Sequence, residues 1–174
     1  MTYFTYMESP LGRLLLTSNG AALTGLFMEP HRHGPESTEG WLQDDEAEPF
    51  PAARRQLSAY FAGTLQEFDL PLALQGTPFQ QKVWNELRNI PFGQTWSYGE
   101  LARRIGQPTA SRAVGLANGK NPISVIVPCH RVIGANGKLV GYGGGLDRKT
   151  TLLQLEQPGR REATSGSEEL TLVP

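Results

Sequence analysis

Cysteine is almost absent from this chain, which has Cys129 and no other among its 174 residues. A sole cysteine excludes an internal disulfide and any zinc site that needs several thiolates. The first residues lack a basic leader, and no apolar run approaches the roughly 18 residues of a membrane-spanning helix. We therefore expect a cytoplasmic protein, in which the role of Cys129 is either packing or thiol chemistry.

The formal net charge of -1 conceals an uneven distribution along the chain. Residues 1 to 77 carry 4 Lys/Arg against 10 Asp/Glu, whereas residues 78 to 157 carry 10 Lys/Arg against 4 Asp/Glu. A basic segment of that size is what contacts with phosphate require. The alternative is chance segregation of surface charge.

The lone cysteine follows a short apolar run. The β-branched residues of Ile123 to Val127 predict a buried strand, and Pro128 ends it because proline cannot donate to a strand ladder. Burial alone would raise the pKa of the thiol and keep it inert, so a reactive cysteine needs help from a neighbour such as His130. Both a buried structural cysteine and a nucleophile fit this tract.

The first part of the chain predicts a small sheet layer. Two hairpins are expected over Met1 to Met28, with Asn19-Gly20 in the second turn. A helix over Pro51 to Ala62 and a strand over Phe68 to Leu74 follow. His31 and His33 lie in an acidic loop and have no third ligand nearby in sequence, which favours a solvated loop over a metal site.

The second part predicts mostly helices. Thr77-Pro78 begins the first of these, and Ser97 caps a second, short helix. A tight turn at Gly106 to Thr109 leads to a third helix over Ala110 to about Gly119, so helix, short turn and helix form a helix-turn-helix pattern.

These patterns predict an α+β fold with three segments. A small N-terminal α/β sheet domain spans residues 1–76, and a mostly helical C-terminal domain with the helix-turn-helix and Cys129 spans residues 77–157. Residues 158–174, rich in Gly, Ser, Thr and Glu, have the composition of a disordered tail.

One face of the third helix carries unusually small side chains. Ser111, Gly115 and Asn118 recur at i, i+4 and i+7, and we expect them to face solvent beside Arg112. Such a face permits either close packing against another helix or close approach of a sugar-phosphate backbone. A long cation such as Arg112 can grip phosphate or enter the base stack.

Further motifs occur in a fixed order around the cysteine tract Pro128-Cys129-His130-Arg131-Val132. They are Thr77-Pro78-Phe79-Gln80, Val83-Trp84, Ser97-Tyr98-Gly99-Glu100-Leu101-Ala102, Ser111-Arg112-Ala113-Val114-Gly115, Asn121-Pro122, Gly141-Tyr142-Gly143-Gly144-Gly145 and Leu152-Leu153 leading to Glu156. With these motifs, Gly76 to Glu156 resembles the O6-alkylguanine-DNA alkyltransferases. The resemblance implies direct DNA repair without a cofactor or metal. It also implies a monomer, able to associate along DNA, that contacts the minor groove of double-stranded DNA containing O6-alkylguanine.

The resemblance also implies residue roles. Cys129 would take the alkyl group irreversibly after base flipping, with His130 as a base acting through water, Glu156 orienting His130, and Tyr98 assisting base rotation and dealkylation. The remaining implied residues bind DNA (Arg112, Ser111, Gly115, Asn118 and Asn121) or line the substrate pocket (Pro128, Val132, Tyr142, Gly143 and Gly144). Whether O4-alkylthymine is also a substrate stays open.

Two other functions remain compatible with the sequence. A non-catalytic protein that binds alkylated DNA would use the same helix-turn-helix, although it would not need Cys129. A cysteine hydrolase would use Cys129, His130 and Glu156 as a triad, although its members usually come from separated parts of the chain.

Overall fold

The computed structural model describes residues 1–29, 34–137 and 145–158. The chain forms two compact units, one of Met1–Gln75 with Pro122–Ile126 and the other of Gly76–Asn121 with the chain from Val127 onward. A small sheet in the first unit and helices in the second confirm the α+β class. The domain boundaries given above stay predictions.

The sheet of the first unit contains β1 (Tyr3–Ser9), β2 (Gly12–Ser18), β3 (Leu23–Met28) and β4 (Leu42–Gln43). Its strand order is β3-β2-β1-β4. β1 and β2 pair antiparallel from Tyr3↔Ser18 to Ser9↔Gly12, and β2 pairs antiparallel with β3. The two predicted hairpins are therefore confirmed.

The turn between β2 and β3 depends on Asn19. Its side-chain oxygen accepts hydrogen bonds from the backbone N–H groups of Ala21 and Ala22, both at 2.9 Å. Gly20 follows with a φ of 95°, a conformation that glycine adopts without a steric penalty. The Asn-Gly pair thus makes the turn that the sequence indicates, within a connection of four residues.

Helix α1 (Phe50–Phe61) buries Phe50, Ala53, Leu57 and Tyr60. The predicted strand over Phe68 to Leu74 is wrong. Only an isolated bridge between Leu72 and Leu23 forms there. In this bridge the Leu23 N–H donates to the Pro71 carbonyl, and the Ala73 N–H donates to the Leu23 carbonyl. Pro71 has no N–H to contribute to a longer ladder, which limits pairing to this bridge.

In the second unit, helix α2 (Pro78–Leu87) begins with a complete capping box. The Thr77 hydroxyl accepts from the Gln80 N–H at 3.1 Å, and the Gln80 side chain accepts from the Thr77 N–H at 3.0 Å. Val83, Trp84 and Leu87 are buried. The Trp84 indole N–H donates to the Ala117 carbonyl at 2.8 Å, which ties α2 to the helix that carries Arg112.

The helix-turn-helix is confirmed. After β5 (Trp96–Ser97), helix α3 (Tyr98–Arg104) leads through a short turn to α4 (Ser111–Gly119). Gly106, with a φ of 78°, ends α3 in a Schellman arrangement: its N–H donates to Arg103, and the Gln107 N–H donates to Ala102.

The predicted strand over Ile123 to Val127 is wrong. Ile123 makes an isolated bridge to Leu26, after which the chain turns. The Ile126 N–H donates to Ser124 at 2.8 Å, which closes a three-residue turn around Val125 with a φ of 71°. A β-branched residue in this left-handed region is strained, so the apolar composition here serves burial and not strand extension.

The rest of the second unit frames the cysteine. A single 3₁₀ turn (Cys129–Arg131) precedes β6 (Val132–Ile133), which pairs parallel with β5, and helix α5 spans Leu146–Glu156. None of the described helices is long and apolar enough to cross a membrane.

The capping box of α2 provides a test of this local structure. We expect Thr77→Ala to lower the free energy of unfolding by about 1 kcal/mol, because the Gln80 N–H loses its partner. Urea unfolding measures the change, with Ser58→Ala on an exposed position of α1 as the control. An unfolding midpoint equal to that of the control would contradict the role of the cap.

Candidate active site

Cys129 is the first residue of the 3₁₀ turn and is 4% exposed. Pro128 precedes it, and the Cys129 N–H donates to the Val127 carbonyl at 2.8 Å. The thiol therefore lies on a tight turn, where the sequence had placed it at the end of a strand. This turn lets His130, its neighbour in the chain, point away from solvent, with no exposed surface.

A buried carboxylate is shared by two side chains of this turn. Glu156, at the end of α5, accepts from His130 Nε2 at 2.7 Å and from Arg131 Nε and Nη2 at 2.7 and 2.9 Å. The guanidinium also donates to the Ile90 carbonyl at 2.7 Å. The predicted pairing of His130 with Glu156 is thus present, and Arg131, to which no role was assigned from the sequence, is the third member of the cluster.

The charges of this cluster follow from burial and pairing. Burial by itself would raise the pKa of Glu156, but hydrogen bonds and charge from His130 and Arg131 lower it to about 2. Burial lowers the pKa of His130, and Glu156 opposes that change only in part. At neutral pH the cluster therefore holds a carboxylate and a neutral imidazole.

The tautomer of His130 then follows. Glu156 is ionised and can only accept, so the proton of the neutral ring lies on Nε2 and Nδ1 keeps a free lone pair. Nδ1 is buried and has no hydrogen-bond partner in the part of the chain that the structure describes. A basic nitrogen is therefore available on the residue next to the only cysteine.

Two neighbours favour the thiolate form of Cys129, although burial is the larger effect and raises the pKa of the thiol. The Asn121 side chain hydrogen-bonds the thiol, and the Lys149 charge lowers its pKa. Asn121 also donates to the Val127 carbonyl at 2.8 Å, which fixes the residues before the cysteine. Because burial outweighs both, the resting thiol stays protonated and needs a base.

Lys149 is a functional candidate that the sequence reasoning missed. It lies on α5 with no exposed surface, and its Nζ donates to the Val132 carbonyl at 2.6 Å. Val132 itself is fully buried. Residues 131–149 contain four Lys/Arg, and only its position on the inner face of α5, four residues before Leu153, distinguishes Lys149 from the others.

Asn118 does not lie where the sequence placed it. It is 1% exposed, and its side-chain amide donates to the Cys129 carbonyl at 3.3 Å. Burial and the charge of Cys129 raise the pKa of the Tyr98 phenol. The Asn118 amide also hydrogen-bonds Tyr98 and lowers this pKa, but by less. The Tyr98 hydroxyl therefore stays protonated, close to the cysteine.

The exposed face of α4 is also displaced from the predicted one. Ser111 and Gly115 are only half-buried, and a Cβ built on Gly115 would contact the Tyr98 ring at 3.6 Å, so this side of the helix packs on α3. Ala113 and Arg112 are exposed. The predicted period of 3.6 residues was correct, but the exposed face of the helix lies closer to Arg112 than predicted.

Tyr142, Gly143 and Gly144, the predicted pocket wall, lie outside the described residues, as do His31 and His33. The structure does bring together Cys129, His130, Glu156, Tyr98 and Asn121 with Pro128 and Val132.

Comparison with known proteins agrees with this geometry. Residues 78–158 match the family model described as the DNA binding domain of 6-O-methylguanine DNA methyltransferase, and residues 2–74 match its ribonuclease-like domain. A methylated-DNA–protein-cysteine methyltransferase from Mycobacterium leprae is 55% identical over 157 residues, which cover 90% of this chain and 93% of that protein.

Similar relatives extend to archaea and to solved structures. A protein of the same name from Methanosarcina acetivorans is 53% identical over 88% of this chain and 97% of its own length. The crystal structure of Mycobacterium tuberculosis OGT in complex with DNA is 55% identical, with a TM-score of 0.85 over 90% of this chain and 93% of that one. The chain therefore belongs to the 6-O-methylguanine DNA methyltransferase family.

Proposed function

We propose that this protein repairs DNA by transferring the alkyl group of O6-alkylguanine to Cys129. The observation that carries the proposal is the arrangement of the sole cysteine beside His130, whose Nε2 is held by Glu156 and whose Nδ1 keeps a free lone pair. The names of the curated relatives support the same reaction.

The first step is loss of the thiol proton. His130 Nδ1 takes the proton through a bridging water. Its loss leaves a soft thiolate on Cys129, in a site where Lys149 and Asn121 favour the anion. Glu156 stabilises the imidazolium that forms, while Arg131 keeps the carboxylate ionised. The triad therefore provides a nucleophile at neutral pH despite the burial of Cys129.

The second step is an in-line displacement. The thiolate attacks the alkyl carbon, a C–S bond forms, and the bond from that carbon to guanine O6 breaks. The electron pair moves into the purine, which takes up a proton at N1 and becomes ordinary guanine. The Tyr98 hydroxyl, which burial keeps protonated, donates a hydrogen bond to the ring during this step. The thioether that forms has no easy hydrolytic exit, so each molecule acts once.

The base reaches Cys129 by flipping out of the duplex. A buried thiol cannot approach O6 inside a stacked helix, and alkylation weakens pairing and so lowers the cost of extrusion. Helix α4 lies in the minor groove, and Arg112, exposed near its N-terminus, fills the gap in the base stack. The small side chains of Ser111 and Gly115 let α3 and α4 pack closely beside it.

Intact-protein mass after incubation with a duplex containing O6-methylguanine tests the reaction. We expect a stoichiometric gain of one CH2 group, because a methyl replaces the thiol hydrogen. Undamaged duplex and Cys129→Ala are the controls, and neither should gain mass. Tight binding of the damaged duplex without any gain would instead support a non-catalytic damage-binding protein, and turnover of an ester without DNA would support a hydrolase.

The role of Lys149 is tested by the pKa of the thiol. Replacing the buried ammonium removes a charge that favours the thiolate, so we expect Lys149→Met to raise the pKa of Cys129 above its wild-type value and to slow transfer at neutral pH. The pH dependence of thiol alkylation by iodoacetamide, followed by intact-protein mass, measures this, because the chain has one cysteine.

Lys82→Met, on an exposed position of α2, is the matched control. Its thiol should titrate as in the wild type. Equal pKa values in the two variants would show that Lys149 acts only by holding the Val132 carbonyl.

A further inference from the structure

Leu116 is an apolar side chain in an unexpected place. It is 66% exposed on α4, whereas the inner face of the same helix buries Val114, Ala117 and Asn118. Among the described residues, the other large hydrophobic side chains with comparable exposure are Met1 and Leu42, both in the first unit. A single exposed leucine is common on protein surfaces, so its surroundings must decide what it does.

Those surroundings form a defined stripe. Arg112 and Lys120, four residues before and after Leu116, are both exposed, so a cation lies one helical turn away on each side. The neighbours at three residues are Ala113 and Gly119, and a Cβ built on Gly119 would meet nothing within 4 Å. On this exposed face of α4, Leu116 is therefore the only large apolar side chain between the two cations, and it projects beyond its small neighbours.

A stripe of this kind matches one mode of DNA binding. Helices that read the major groove project long hydrogen-bonding side chains toward base edges. Proteins that bend the duplex from the minor groove instead insert an apolar wedge between base steps, while flanking cations contact phosphates. Arg112, Leu116 and Lys120 provide that combination on one face of α4.

The spacing fits the geometry of a base stack. One helical turn advances about 5.4 Å, and bases along one strand are about 3.4 Å apart. When Arg112 occupies the gap left by an extruded nucleotide, Leu116 lies one helical turn farther along α4. That distance places Leu116 beside the neighbouring base step.

We infer that Leu116 is an apolar wedge that enters the minor groove and unstacks the base step next to the extruded nucleotide, while Lys120 binds phosphate. The inference rests on the proposed function, because it requires α4 to bind DNA. An aliphatic side chain, in addition to Arg112, then holds the duplex open.

The test uses duplexes that contain O6-methylguanine with 2-aminopurine at the neighbouring base step. Fluorescence of 2-aminopurine rises when the base is unstacked, and a titration gives the dissociation constant in the same sample. Each substitution is made in a Cys129→Ala background, which prevents methyl transfer during the measurement. The matched control is Leu42→Ala, since Leu42 is an exposed leucine of the first unit.

We expect Leu116→Ala and Leu116→Gln to lose most of the fluorescence rise and to weaken binding roughly tenfold, without changing the dependence of affinity on salt. Leu116→Met, which keeps an aliphatic side chain, should retain both properties, as should Leu42→Ala. Lys120→Gln should instead lower the salt slope by about one, as expected for a lost phosphate contact.

An unchanged fluorescence rise and affinity in Leu116→Ala would overturn the inference. So would self-association that Leu116→Ala abolishes while DNA binding is unaffected, because the leucine would then serve a contact between two copies. Neither result affects the proposed reaction, whose failure would appear separately as the absence of methyl transfer in protein that retains Cys129.

Discussion

The second unit depends on the buried carboxylate of Glu156. Bringing a charge into an interior is unfavourable unless it is paired, and here the guanidinium of Arg131 satisfies both carboxylate oxygens while His130 contacts one of them. The same pairing fixes the tautomer of His130, so the interaction that makes burial tolerable also leaves Nδ1 with the lone pair that the proposed reaction uses. Because Arg131 reaches the Ile90 carbonyl as well, one guanidinium joins the end of α5, the 3₁₀ turn and the segment after α2.

A cysteine that must be both enclosed and reactive presents opposing requirements. Enclosure raises the pKa of the thiol, and the Asn121 hydrogen bond and the Lys149 charge offset that rise only in part. A thiol held mostly protonated until a base acts on it is protected from indiscriminate oxidation, since the thiolate is the reactive species. The site thus limits reactivity at rest and retains the groups that the proposed reaction uses to generate the nucleophile.

Local signals predicted much of the fold correctly. The Asn19-Gly20 turn and the cap at Thr77 each follow from a side chain that satisfies nearby backbone groups, and the turn at Gly106 follows from a glycine with positive φ, so the sequence there is informative without tertiary context. The strand expected at Ile123 to Val127 failed because apolar, β-branched composition indicates burial, and the chain achieves burial here with a strained turn at Val125. Propensity cannot reveal a conformation that the surrounding packing imposes.

The site was predictable to a similar degree. Cys129, His130 and Glu156 belong to the sequence motifs that carry the family resemblance, and His130 and Glu156 form the expected hydrogen bond. Lys149 was missed and Asn118 was misplaced because their partners are the backbone carbonyls of Val132 and Cys129, which no sequence motif identifies. Asn118 contacts Cys129 only because α4 is rotated relative to the phase that small residues suggested, which a helical period alone cannot fix.

The separation of these partners along the chain has a consequence for synthesis. Glu156 follows His130 by 26 residues and Arg131 by 25, so the cysteine tract leaves the ribosome well before the carboxylate that orients its base. Until α5 has been made and has folded against the 3₁₀ turn, His130 has no fixed tautomer and Arg131 no anion to bind. A nascent or C-terminally truncated chain therefore contains Cys129 without the ion pair that the proposed reaction requires, and repair by that reaction begins only when α5 is in place.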